Sequence, residues 1–261
     1  MINLRLYFSE DIAALQNTDS SDVTSDFTPA LIDNGVAYYR INGFIGYESE
    51  YTNSLSTLET SIKEAENNSN ISLHFFHINS FGGEAYYNER IASLIRSLSK
   101  TTYCLIERNC CSAGYYLASQ CNRIVASTSY DYIGSIGTMT VLYDDRKYFD
   151  KAGVQFITIK ATKSDLKNKL TEDAIDGKTG EYIARLIDPF QKQFEKDVRF
   201  RKKLSKLPED HEVFRGQVYL ATEALAVGLI DAIADSKEAV INEVVSLAKK
   251  STLHKKILNF I

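Results

Sequence analysis

Between the turn signal Asn34-Gly35 and Gly46 the chain reads VAYYRINGFIG, dense in β-branched and aromatic residues, which predicts a strand. Leu55, Leu58, Ile62 and Ala65 then recur at helical spacing and predict a helix over 51–67, stopped at Asn67-Asn68. ISLHFFHIN (71–79) predicts a buried strand. Residues 84–99 predict a helix with Ala85, Ile91, Leu94, Ile95 and Leu98 on one side. TTYCLIE (101–107) predicts a third strand, 112–120 a short helix and RIVAS (123–127) a fourth strand. Strands separated by helices predict βαβ units around a largely parallel sheet, an α/β fold.

The flanks differ. Residues 1–33 read as a peripheral arm, because QNTDSSDVTSDFT (16–28) is polar and acidic. Over 171–206 charges surround a sparse apolar stripe of Ile183, Leu186, Ile187, Phe190, Phe194 and Val198, which predicts one or two amphipathic helices. The run Arg199-Phe200-Arg201-Lys202-Lys203 reads as a solvated charged face. Residues 236–261 predict a C-terminal amphipathic helix whose apolar end, ILNFI, fits a partner subunit. The expected organisation is an arm (1–33), one domain (34–235) and that helix (236–261).

Composition narrows the function classes. The 261 residues are 44% hydrophobic and carry a net charge of −4, as in ordinary globular chains, so nothing favours nucleic acid as a partner. No stretch approaches the roughly 18 consecutive apolar residues of a membrane span, and Ser9, Glu10 and Asp11 interrupt any secretory signal. A soluble, cytoplasmic protein without a membrane anchor is expected. Cys104, Cys110, Cys111 and Cys121 lack paired metal-ligand spacing, so no zinc site, metal or other cofactor is expected.

The chemistry-bearing residues cluster between 79 and 170. Gly82-Gly83 joins a predicted strand to a predicted helix, where free backbone N–H groups suit a phosphate or an oxyanion. The chain has neither a GxxxxGK[ST] nor a GxGxxG pattern, which argues against a phosphate loop. Ser112, at the next strand-to-helix junction, reads either as a helix N-cap or as a nucleophile. Cys111 competes with it as a nucleophile, or is an inert buried thiol. The histidines are His74, His77, His211 and His254, and none lies between 78 and 210. His74 and His77 fall on opposite faces of one strand, so a Ser-His-Asp triad has little support. A lysine can act as base if burial lowers its pKa toward neutrality, at roughly 3–4 kcal/mol. By position, Lys160, Lys163, Lys167 and Lys169 are open candidates.

Taken in order, these segments resemble the signal peptide peptidase A family of serine–lysine proteases, which share the ClpP/crotonase fold. The family's INSPGG turn is similar to Ile78-Asn79-Ser80-Phe81-Gly82-Gly83, and its serine motif to Cys111-Ser112-Ala113-Gly114-Tyr115-Tyr116. Its GSIG segment is similar to Gly134-Ser135-Ile136-Gly137, and its base motif, near the end of a strand, to Ile159-Lys160-Ala161-Thr162-Lys163-Ser164. A later signature resembles Arg215 to Asp231, so the likeness runs from about Val36 to Asp235. The resemblance implies Ser112 as nucleophile and Lys163 as general base, with Lys160 as the alternative. It implies an oxyanion hole from the N–H groups of Gly82 and Ala113, supported by Gly83, Gly114, Ser135 and Ser164. Phe81 stands where the family has Pro, and Cys111 where it has Ala.

The family implies a polypeptide substrate and a homo-oligomer. Without an anchor, the chain is most similar to soluble phage and prophage members that trim scaffold and head proteins. The alternatives are a host peptidase that degrades signal peptides, a crotonase-like acyl-CoA enzyme, and a head protein with a dead site.

Overall fold

The computed structural model describes residues 30–32, 35–47 and 53–258 of the chain. Its centre is a sheet with apolar residues on both faces. Strand β1 (Ala30–Ile32) runs antiparallel to β2 (Val36–Asn42), and β3 (Ile45–Gly46) pairs with β4 (Asn53–Ser54) in a small second sheet. Helix α1 (Leu55–Asn67) leads to β5 (Leu73–Ser80), and α2 (Asn88–Ser97) leads to β6 (Thr101–Cys111). Helix α3 (Ala113–Ala118), β7 (Arg123–Ala126) and β8 (Tyr132–Gly134) follow. The main sheet has the order β1-β2-β5-β6-β7-β10, where β10 is Ala232–Ile233. Strands β2, β5, β6, β7 and β10 run parallel to one another, as the alternation of strands and helices predicts. Near its C-terminal end β6 also pairs with β8, which β9 (Val218–Leu220) flanks antiparallel.

Both faces are covered, as parallel sheets require. Ala37, Tyr39, Ile41, Phe76, Ile78, Cys104 and Ile106 point into a large core shared with α1, α2 and α3. Val36, Leu73, Phe75, Tyr103, Leu105 and Val125 point the other way, onto Val240, Val244 and Ala248 of the C-terminal helix. Helix α4 (Arg146–Lys151), α5 (Lys169–Ile175), α6 (Gly180–Tyr182) and α7 (Asp188–Val198) precede α8 (Ala221–Val227) and α9 (Lys237–Leu258). Among the described residues no helix is long and apolar enough to cross a membrane.

Several boundaries differ from the sequence reading. The predicted strand over 36–46 is interrupted at Gly43, whose φ of +85° turns the chain between β2 and β3. The helix predicted from 84 begins at Asn88, because Tyr87 is left-handed (φ 70°). Strand β6 extends four residues past the predicted end and is irregular: Ile78 pairs with Ile106, but Ser80 pairs with Cys110. Two extra residues of β6 are thus accommodated as a bulge around Glu107-Arg108-Asn109. The amphipathic stretch over 171–206 is broken into α5, α6, a π-helical turn at Ile183–Ile187, α7 and a 3₁₀ turn. Of its stripe, Phe194 and Val198 are buried, whereas Ile183 and Phe190 are exposed.

The run Arg199 to Lys203 is not simply a solvated face. Arg199 pairs with Glu195 at 2.8 Å, stacks over Phe214 and donates to the carbonyls of Leu204 and Leu207. Arg201 is largely buried against Asp231, 2.6 Å away. Both arginines satisfy carbonyls and a carboxylate that the short turns would otherwise leave unpaired. Of the expected N-terminal arm only residues 30–32 lie within the described part, and they form β1. The apolar end ILNFI lies at the limit of the described residues, and its side chains are outside them.

His74 and His77 do point to opposite faces, and each is locked by two hydrogen bonds. The Nδ1 of His74 meets the Tyr39 hydroxyl at 2.8 Å and its Nε2 meets Glu66 at 2.9 Å. For His77 the partners are the Tyr38 hydroxyl (2.7 Å) and Glu107 (2.9 Å). A neutral imidazole donating from Nε2 and accepting at Nδ1 satisfies both sets. Burial lowers both pKa values, against the opposing pull of the carboxylates. A depressed histidine contributes stability that is present above its unfolded value of 6.5 and lost as pH falls below it, because the unfolded chain then binds more protons. Chemical denaturation as a function of pH is therefore expected to show stability falling as pH drops below 6.5. The His74→Gln and His77→Gln variants should show less of that fall, and an unchanged profile in both would contradict the assignment.

Candidate active site

Three segments meet at the C-terminal end of the sheet. The first is the turn after β5. Gly82 has φ +127°, a conformation that side chains rarely adopt, and its α-carbon faces Ser112. A Cβ built there would lie 2.8 Å from Ser112 Cβ, 3.2 Å from Ser112 Oγ and 3.3 Å from the Ala113 nitrogen. The turn is fastened to β3: Ile45 N–H donates to the Gly82 carbonyl at 3.0 Å, and Glu84 N–H donates to the Ile45 carbonyl at 2.9 Å. Gly83 sits against Ile45 so tightly that a Cβ would fall 1.9 Å from the Ile45 oxygen.

The second segment is the junction of β6 and α3. Ser112 has φ 54° and ψ −120°, an unfavourable backbone conformation for a residue with a side chain. Strain of this kind costs about 1–3 kcal/mol and persists only where its surroundings impose it. The residue is fully buried, and its Oγ has no hydrogen-bond partner. It caps no N–H of α3, so the N-cap reading fails. Ala113 is the first residue of α3, so its N–H has no carbonyl one turn back to bond. Gly114 lets the helix approach β5, since a Cβ there would stand 3.3 Å from Ser80 Cβ.

The third segment is Gly134-Ser135-Ile136-Gly137. The Gly134 carbonyl accepts the Ser112 N–H at 2.8 Å, and Ser135 N–H donates to the Gln217 carbonyl at 2.8 Å. Ser135 is buried and also left-handed (φ 50°). The Gly134 carbonyl thus ties the strained serine junction to β8.

The structure thus brings together Gly82, Gly83, Ser112, Ala113, Gly114 and Ser135. It adds Ser80, which the sequence reading did not single out: its Oγ accepts the Gly82 N–H at 3.0 Å and closes the turn in place of the missing proline. The signal for it was a serine two residues before a strained glycine. Phe81 is exposed beside this turn. Cys111 is excluded as a rival nucleophile, because burial pushes its thiol up to about 12 and its Sγ faces the Tyr132 carbonyl.

The lysines lie apart. Lys163 is exposed and makes no hydrogen bond to Ser112, and Lys160 pairs with Glu172 at 2.8 Å. Ser164 follows in a turn, its N–H on the Ala161 carbonyl. The expected strand ending near the base motif is absent among the described residues. Val154, Phe156, Ile157 and Ile159 are exposed, and among the described residues no strand forms over them.

Residues 96–250, more than half of the chain, match the sequence model of Peptidase family S49. The chain belongs to peptidase family S49. The matched region holds Ser112, Ser135 and Lys163, while the Gly82 turn precedes it. The S49 chain is similar to Protease 4 of Haemophilus influenzae, 24% identical over 214 residues that cover 80% of this chain and 34% of that protein. It therefore spans about a third of the length of that curated relative. It is also 28% identical over 167 residues to the Na(+)/H(+) antiporter NhaA of Brucella abortus, covering 61% of this chain and 22% of that protein. Among solved structures, an enoyl-CoA hydratase/isomerase family protein from Silicibacter pomeroyi aligns with a TM-score of 0.50 at 16% identity, over 84% of this chain and 81% of that one. A putative enoyl-CoA hydratase from Streptomyces avermitilis gives 0.50 at 12% identity, over 83% and 72%. These two likenesses establish the crotonase-like fold of the S49 chain and carry no chemistry to it.

Proposed function

We propose that the chain is a serine endopeptidase in which Ser112 attacks a peptide carbonyl and forms an acyl-enzyme that water then hydrolyses. The observation that carries this reading is the Ser112 hydroxyl: buried, unpartnered and held on a strained junction against Gly82 and the Ala113 amide. The tetrahedral oxyanion is met by the Ala113 N–H and by the Gly82 N–H once the latter leaves Ser80.

Lys163 is the proposed general base. It takes the Ser112 proton during attack and returns it to the leaving amine. Because the segment carrying it exposes Phe156, Ile157, Ile159 and Leu166, we infer that this segment packs on a second copy of the chain and delivers Lys163 to that copy's serine. Ser112→Ala and Lys163→Ala are then each inactive alone. Mixed and reassembled, they are expected to recover about a quarter of wild-type peptidase activity, the share of sites that draw both intact residues at random. No recovery would assign the dyad to one chain.

The proposed substrate is a polypeptide, and the proposed setting is cytoplasmic, which the four free cysteines fit. Within this reading, phage scaffold or head proteins are tested directly: wild type should release fragments from them that mass spectrometry identifies and that Ser112→Ala does not produce. Intact head proteins beside a cleaved generic peptide would assign another substrate.

A further inference from the structure

On the face of the sheet opposite Ser112, the bulge of β6 opens a polar cleft of about 370 Å³ that no step of the proposed proteolysis uses. Arg40, His77, Asn79, Glu107, Arg108 and Lys237 line it. Arg40 and His77 stand side by side on β2 and β5, and the bulge pushes Glu107 and Arg108 out beside them. Lys237 is the first residue of the 22-residue α9, so that helix begins at the cleft's edge.

The charges in this cleft are unbalanced. Glu107 is engaged twice, by His77 at 2.9 Å and by Lys237. Burial lowers the pKa of His77, Glu107 pulls it back up, and the nearby charges of Arg40 and Lys237 act with burial. With Lys237 and Glu107 neutralising one another, the Arg40 and Arg108 guanidiniums remain. Among the described residues neither makes an ion pair or a side-chain hydrogen bond. Arg108 is also held in a left-handed conformation (φ 69°) while Asp131 accepts its N–H at 3.0 Å. A backbone outlier that holds an unpaired guanidinium in a cleft motivates a binding role.

We propose that this cleft binds a phosphate group carried by a small molecule. Two unpaired guanidiniums match the charge of about −1.5 to −2 on a phosphate monoester at neutral pH better than the single charge of a carboxylate. Each guanidinium offers a planar fork that fits two phosphate oxygens. The cleft's volume exceeds that of one phosphate and leaves room for the rest of an ester.

Isothermal titration calorimetry of the full chain in chloride buffer tests the assignment, with inorganic phosphate and ribose 5-phosphate as probes. Saturable binding of one equivalent is expected, weakened about tenfold or more by Arg40→Gln or Arg108→Gln, each of which removes a charged fork. Arg185→Gln, on an exposed arginine elsewhere, should leave binding unchanged. Tighter binding of ribose 5-phosphate than of inorganic phosphate assigns the ester, and equal binding assigns free phosphate. Should Arg108→Gln fail to fold, Arg40→Gln, in the middle of a paired strand, carries the test. No saturable binding of either probe, or binding unaltered in Arg40→Gln, overturns the proposal.

Discussion

Ser112→Ala is expected to abolish peptide cleavage while leaving the chain at least as stable as wild type. Loss of the nucleophile should lower kcat by a factor on the order of 10⁴ or more. Stability should move the other way. The Ser112 hydroxyl is fully buried and bonds to nothing, so the folded state forgoes about 1–3 kcal/mol that this group had in water. Removing it deletes an unmet acceptor and donor without breaking a contact, and a melting temperature equal to wild type or a few degrees higher is expected. Ser112→Gly should rise further, because glycine also relieves the φ of 54°. Calorimetry beside a peptidase assay reads both. An alanine variant that melts well below wild type would show that the hydroxyl has a structural partner. One that still cleaves peptides would remove Ser112 from the chemistry.

Gly83→Ala is expected to be the most damaging single-methyl change at the site. Its Cβ would stand 1.9 Å from the Ile45 oxygen and 2.7 Å from the Ile45 carbon and nitrogen, all backbone atoms that cannot rotate away. The turn must lift off β3. That breaks the bonds from Ile45 N–H to Gly82 and from Glu84 N–H to Ile45, and it disturbs the buried Ile45 side chain. Two hydrogen bonds and a displaced core residue together cost about 3 kcal/mol or more. Gly82 moves with the turn, so activity should fall at least about 100-fold through loss of an oxyanion donor. Gly82→Ala separates the two effects: its methyl meets Ser112 rather than β3, so activity should fall with a smaller loss of stability. Denaturant unfolding checks the difference, and a Gly83→Ala midpoint equal to wild type would refute the seating on Ile45.

The parallel sheet was legible because strands such as β5, buried on both faces, alternate with helices that carry an apolar stripe on one side. The junctions around Ser112 were legible from small residues, since Gly82 and Gly114 stand where another backbone comes close. Strands β8, β9 and β10 were not legible. Each has two or three residues and forms only because a neighbour offers a paired edge, which periodicity does not record. The segment before Lys163 was expected near the end of a strand from the family likeness alone, and among the described residues no strand forms there. Arg201 read as solvated because sequence shows a charge run but not the distant Asp231 that neutralises part of it.

The bulge in β6 sets a rule of parity for the chain. Ile106 and Cys110 both face the large core, four residues apart, while their partners Ile78 and Ser80 are two apart, so the surplus is an even number. Adding or removing two residues between 106 and 110 would keep Cys110 inward and leave the approach to Ser112 in phase. Adding or removing one would turn Cys110 to the opposite face and swing the serine junction away from Gly82. Length changes of two in this stretch therefore preserve the facing, whereas a change of one does so only where a one-residue bulge absorbs it.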